Sequence, residues 1–149
     1  MLDKAEATLN VLVTPEMANF NGNMHGGELL KILDKAAYIC ASKYSGHYCV
    51  TLSVDKVNFK QSIKIGELLT LLAKVNYTGR TSMEIGIKVI AEDIRNDIVR
   101  HTNSCFFTMV AVDENGKPVE VPTLEPKTVE DKRRLQNAEE RRKQRLQNK

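Results

Sequence analysis

Several signatures are missing from this 149-residue sequence, and each absence closes a class of function. No apolar stretch approaches the roughly 18 residues needed to cross a bilayer, so no membrane span is expected. The first ten residues, MLDKAEATLN, carry acidic groups and no apolar run, which does not describe a secretory leader. Cys40, Cys49 and Cys105 are odd in number and show no C-x-x-C spacing. Each lies in an apolar stretch, so buried reduced thiols in a cytoplasmic protein are expected rather than disulfides or a zinc site. His25, His47 and His101 form no metal-binding spacing, and no metal is implied. Neither a Ser-His-Asp pattern nor a G-x-S-x-G elbow is present for a serine hydrolase.

Charge is present but unevenly spread. The net charge is +3, yet residues 130–149 hold 8 Lys/Arg against 4 Asp/Glu, and residues 1–129 hold 14 against 15. The basic balance therefore belongs to the tail. A nucleic-acid-binding body would carry it on the folded surface, so no nucleic-acid partner is expected. The length suits one domain, here residues 1–126, followed by a charged helix over 127–149. In that helix Glu130–Arg134 and Glu139–Lys143 are i,i+4 pairs, and its few apolar residues make no coiled-coil seam, which predicts a solvated helix.

The hydrophobic pattern orders the domain. Residues 8–13 read as a strand and 14–24 as a loop rich in Pro, Asn and Gly. From about Gly27 to Tyr44 the spacing predicts a helix with Leu29, Leu30, Leu33, Ala37, Cys40 and Tyr44 on a broad apolar face. Residues 48–59, 67–77, 80–92 and 98–112 read as strands. Within 80–92, Met83, Ile85, Ile87, Val89 and Ala91 alternate with Ser82, Glu84, Gly86 and Lys88. The separators NYTGR and DIRND are short enough for hairpins, and DENGK closes the last strand. The order β-α-β-β-β-β gives an α+β fold: a four-strand antiparallel meander whose long strands curve around one apolar helix.

Three features converge where that helix begins. Asn23, His25, Gly26 and Gly27 lead into it, and a helix N-terminus presents free N–H groups suited to a carbonyl oxygen. The same residues also describe an ordinary helix start, with Asn23 near a capping position; His25 is a general-base candidate, and a cap or positioning group equally well. Asp34 lies about 90° from the polar cluster of Glu28, Lys31, Lys35 and Ser42 on a helical wheel, beside Leu30, Tyr38 and Ala41. A carboxylate half-buried there suits a general base, while an edge Asp weakly paired with Lys31 is the plain alternative. Thr51 or Ser53, on the next strand, would reach the same pocket if the strand packs on the helix; outer-face positions suit them equally. Farther along, Gly79-Arg80-Thr81-Ser82 fits a phosphate-holding turn, or a simple hairpin with a solvated Arg, and Lys60 is a second cation for the same ligand.

The run NGNMHGGELLKILDKAA resembles the entry to the central helix of hotdog acyl-CoA thioesterases. VTLSVDKVNFKQSIKIGE and GRTS are similar to the strands that follow in that family, most nearly its bacterial YciA type and the related cytosolic acyl-CoA hydrolases of animals. The similarity covers residues 8–122. It implies a hotdog fold in which a curved sheet wraps a long helix, homodimers with sites at their interface, and hexamers built as trimers of dimers. It implies acyl-CoA hydrolysis with Asp34 as general base or nucleophile, Asn23 from the opposite subunit and Thr51 assisting. Gly26 and Gly27 would form the oxyanion site beside His25. Asn58, Lys60, Gly79, Arg80, Thr81 and Ser82 would hold coenzyme A. No cofactor is implied, since coenzyme A belongs to the substrate. A hotdog dehydratase acting on 3-hydroxyacyl thioesters, a non-catalytic acyl-CoA-binding protein and an RNA-associated protein acting through the tail are the competing expectations.

Overall fold

A computed structural model describes residues 3–55, 57–59 and 61–148. Five strands, β1 (Glu6–Leu12), β2 (Tyr48–Asp55), β3 (Leu68–Thr78), β4 (Ser82–Asp93) and β5 (Ile98–Val112), form one sheet with two helices, α1 (Gly26–Ser45) and α2 (Val129–Gln147). The strand order is β1-β3-β4-β5-β2, antiparallel throughout. The hairpins β3–β4 and β4–β5 stand where the short separators predicted them. The four-strand meander does not. β2 pairs with β5 rather than β3, so β2 and β3 lie toward opposite edges of the sheet. Local periodicity identifies a strand but not its neighbour, because pairing is settled by long-range packing.

The inner face of the sheet wraps α1. Leu69, Leu71, Ala73 and Val75 of β3, the predicted alternate set of β4, and Cys105, Phe107, Met109 and Ala111 of β5 are buried against Leu29, Leu33, Ala37 and Cys40. Burial on α1 is rotated from the predicted face: Ile32, Ala36 and Ala41 are buried, whereas Leu30 is exposed. Helix-period counting gave equal weight to both flanks of the stripe, and only one flank meets the sheet. His25 caps the helix start, its ring accepting from the Gly27 N–H, and Gly46 ends it in the left-handed conformation at φ 74°. This wrapped helix is the hotdog fold.

The C-terminal helix is not freely solvated. One face of α2 lies on the outer side of the sheet, with Ala138 1% exposed. Thr128 caps its start by accepting from the Asp131 N–H, and Lys74 of β3 meets Asp131 at 2.8 Å. Charge density alone signalled solvent. The packing is made instead by arginines that lay their stems on the sheet while their heads pair with its carboxylates. No described helix is long and apolar enough to cross a membrane.

Candidate active site

Asp34 and Thr51 come together across the helix–sheet seam. The Thr51 hydroxyl donates to Asp34 Oδ1 at 2.5 Å and also lies 3.4 Å from Met109 Sδ. Just past Thr51, β2 is irregular: its pairing with β5 shifts register between Thr51 and Ser53. Cys49 and Thr51 face α1, and after the extra residue Leu52 it is Val54, opposite Phe107, that continues this face. Such a bulge re-aims side chains at a sheet edge. Of the two hydroxyls proposed from sequence, Thr51 therefore reaches the helix, and Ser53, opposite Thr108, faces away from it.

The burial expected for Asp34 is not found in the protomer. Asp34 is exposed, on the flank of α1 that the sheet leaves uncovered. Its surroundings are nonetheless apolar: Leu30 and Tyr38 on the same helix, Tyr48 with its ring 5.6 Å from that of Tyr38, and Leu52 and Val54 farther along β2 are also exposed. The wheel identified apolar neighbours correctly but could not show that the protein's own core lies on their other side. β2 is the sheet's edge, so this apolar surface borders unpaired backbone groups.

The helix N-terminus also departs from expectation. Asn23 is not the cap; its backbone forms an isolated bridge with Lys64. His25 Nδ1 accepts the Gly27 N–H at 3.0 Å, so that donor is engaged rather than free. Among the described residues the Gly26 N–H has no acceptor, and the Phe59 ring stands 3.8 Å from where a Gly26 side chain would begin. A further side chain, Asn19, was not singled out from the sequence. Its Oδ1 accepts from the N–H groups of Asn21 (2.9 Å) and Asn23 (3.2 Å), which fixes the amide. The Asn-rich composition of residues 19–23 was its only sequence signal.

The proposed coenzyme A residues are separated into two places. Gly79–Ser82 forms the β3–β4 turn, with Gly79 N–H donating to Ser82 O at 2.9 Å and Arg80 75% exposed, 3.9 Å from Glu120. This turn lies near the row that holds Thr51, Met109 and Met83 across the sheet. Asn58 lies elsewhere, its carbonyl bound by Asn103 far down β5 and beside the α1 N-terminus. One protomer therefore does not unite Asn58 with Arg80. Lys60 lies outside the described residues. Among the described residues no group of three or more His, Cys, Asp or Glu side chains is placed to hold a metal ion.

The thioesterase superfamily profile matches residues 21–98, which include α1, β2 and β3. Protein VdlD of Helicobacter pylori is 54% identical over 143 residues, covering 96% of this chain and 82% of that protein. A crystallographic apo-hexameric acyl-CoA thioesterase superposes with a TM-score of 0.93 at 38% identity, over 97% of this chain and 93% of the other. An acyl-CoA hydrolase from Staphylococcus aureus, solved with butyryl coenzyme A, coenzyme A and coenzyme A disulfide, gives 0.88 at 32% identity, over 97% and 88%. Variants of that hydrolase with alanine in place of an aspartate, an asparagine and a threonine have been solved as well. With its own helix wrapped by its own five strands and this breadth of agreement along the chain, the protein belongs to the thioesterase superfamily.

Proposed function

We propose that this protein hydrolyses acyl-CoA to free acid and coenzyme A, with Asp34 as the catalytic carboxylate and each active site shared by two copies of the chain. The observation that carries this reading is the Thr51–Asp34 hydrogen bond on an exposed apolar flank. A carboxylate held by one hydroxyl, with about three acceptor lone pairs left over, is equipped to take a proton from water or to attack a carbonyl directly. Supporting this, the three residues replaced in the Staphylococcus aureus variants stand at the same intervals as Asn19, Asp34 and Thr51 here.

Distance along the helix argues for the second copy. Gly27 and Asp34 are seven residues apart, about 10 Å of rise. A thioester carbonyl seated on the Gly26 and Gly27 N–H groups is therefore too far from the Asp34 of the same chain. A two-fold dimer resolves this, because each Asp34 then faces the partner's helix N-terminus. The exposed edge β2, with Leu52 69% exposed, suits a second β2 and would bury Asp34 as it forms. Trimers of such dimers would give the hexamer.

In this arrangement the carbonyl oxygen takes the Gly26 N–H and, once the His25 ring has moved aside, the Gly27 N–H. Asn19 supplies a third donor from a fixed amide, while Asn23 shapes the loop through its backbone. Arg80, Gly79, Thr81 and Ser82 take the phosphates of coenzyme A, from the same protomer as Asp34. Asn58 reaches the ligand from the partner's side. No cofactor is required. Three buried free thiols suit a reducing compartment, hence the cytoplasm.

Replacing Asp34 with Asn keeps the size of the side chain and removes its basicity. The expected result is a loss of at least about 10²-fold in kcat for butyryl-CoA at unchanged oligomeric state. Near-normal thiol release from that variant would refute the assignment.

A further inference from the structure

The outer helix approaches the proposed phosphate turn. Of the five arginines on α2, four meet carboxylates: Arg133 with Glu130, Arg134 with Asp131, Arg141 with Glu84 and Arg145 with Asp55. Arg142 does not, among the described residues. Its Nη1 donates to the Tyr77 hydroxyl at 2.5 Å, and its guanidinium stands 5.6 Å from the Tyr77 ring centre. Tyr77 is neutral, so the full positive charge of Arg142 is left unmatched and most of its donors are free.

What lies beside it is the β3–β4 turn. A side chain starting at Gly79 would come within 3.5 Å of Arg142 Nη1 and 2.8 Å of Ser82 Oγ. The missing side chain thus keeps a small polar space open between the turn, its hydroxyl and the arginine. Arg80 rises from the same turn, held only by a 3.9 Å contact with Glu120 in which both side chains are 75% exposed. A dianionic ligand competes easily with so loose and solvated a partner. The Arg142 fork and the Ser82 hydroxyl at that space, with the Arg80 fork rising from the next residue of the turn, supply the donors of a phosphate cradle.

Resting on the reading of Gly79–Ser82 given above, we propose that Arg142 of the C-terminal helix completes the phosphate-binding site for the nucleotide end of acyl-CoA, as the second arginine opposite Arg80. Two strand spacings, about 10 Å, separate the Thr51 row of β2 from β4, so an extended thiol arm bridges the reacting carbonyl and this cradle. The helix then has a role in recognition besides covering the sheet. It makes the site selective for thioesters that carry a nucleotide phosphate over those that lack one.

The test measures thiol release by the full-length assembly with two substrates, butyryl-CoA and butyryl-N-acetylcysteamine, which has no nucleotide. Arg142→Ala should lower kcat/KM for butyryl-CoA about tenfold through KM, as expected for one charge-assisted hydrogen bond. The short thioester should be hydrolysed as by the wild type. Arg142→Lys, which keeps the charge, should recover part of the loss, and Arg80→Ala should repeat the pattern. If Arg142→Ala leaves KM unchanged while Arg80→Ala raises it, the role of Arg142 is overturned and the turn keeps its own. Equal losses on both substrates would mean that Arg142 acts through the fold, which also overturns the proposal. If neither variant affects KM for butyryl-CoA, the turn itself is not the phosphate site and the reading beneath the proposal fails with it.

Discussion

Glu84, 2% exposed near the start of β4, is gripped by Arg141 of α2 through two bonds of 2.7 Å, Nε to Oε1 and Nη2 to Oε2. The same guanidinium lies 3.6 Å over the centre of the Phe106 ring, and Asn76 donates to Glu84 Oε2 at 3.2 Å. A carboxylate on a strand face that alternation assigned to solvent is thus roofed by a helix 57 residues later. The pair is a side-by-side fork, the geometry that offsets desolvation best.

Breaking this pair from one side should be costly. Arg141→Ala strands a buried carboxylate, for which a loss of about 3–5 kcal/mol is expected. Gly86→Ala attacks the same network without touching charge, since a methyl group there would collide with the Asn76 amide that reaches over it toward Glu84. Thermal unfolding should show both variants well below the wild type, with Glu84→Gln/Arg141→Met milder than Arg141→Ala alone. A double variant as unstable as the single one would argue against the stranded-charge explanation.

The asparagines can be separated by activity. Asn19→Ala removes the fixed donors we assign to the substrate carbonyl, and the loss of one such donor typically costs about 10²–10³ in kcat. Asn23→Ala leaves its backbone bridge to Lys64 intact and should cost much less. Equal losses in both would show that the loop, not one amide, is what matters. Thr51→Ala should fall about tenfold or more, because it releases Asp34 from a hydrogen bond to a charged group, and Thr51→Ser should retain most of the rate.

Much of this site was readable from sequence because its parts are local. Asp34, Gly26, Gly27 and His25 share one helix, and the glycines and the acid keep their spacing whatever surrounds them. Thr51 required one long-range fact, that β2 flanks α1, and the bulge at Leu52 then decided between it and Ser53. Asn19 was not legible, since its meaning lies in which loop amides its oxygen binds. The contacts of α2 were not legible either. Arg141 and Glu84 each look like surface charges alone, and only the folded chain brings them together. The exposure of Asp34 was misjudged for a related reason: a helix flank that is apolar but uncovered points to a partner, and no periodicity distinguishes a partner from a core.

Two thiols give a pH dependence. Burial pushes Cys40 and Cys105 up to about 12. The unfolded chain deprotonates near the ordinary thiol value, about 8.5, so it binds fewer protons than the native state between there and about 12. Stability from these groups is therefore complete below about pH 8.5 and declines as pH rises toward 12. Denaturant midpoints measured from pH 8 to 10.5 should fall, and Cys105→Ala should flatten the slope. Folded protein at pH 8 should be silent toward Ellman's reagent at both positions, which also keeps the thiol-release assay clean.

Assembly should decide activity as sharply as any catalytic residue. Val50 and Leu52 lie on the exposed edge strand next to the Asp34 flank, and neither contributes to the protomer's own core. Leu52→Lys/Val50→Lys should therefore leave the protomer folded, since a lysine pair on a solvated edge satisfies the same backbone while repelling an identical strand. Light scattering should then report a species smaller than the wild type, and thiol release should fall with it, because Asp34 would lose the partner's helix N-terminus while its own lies about 10 Å away along α1. Mixing this variant with an Asp34→Asn chain probes the sharing directly, as heterodimers can form only if one lysine-free edge suffices. Full activity from a monomeric lysine variant would show that one chain holds a whole site, and the two-copy arrangement would have to be abandoned.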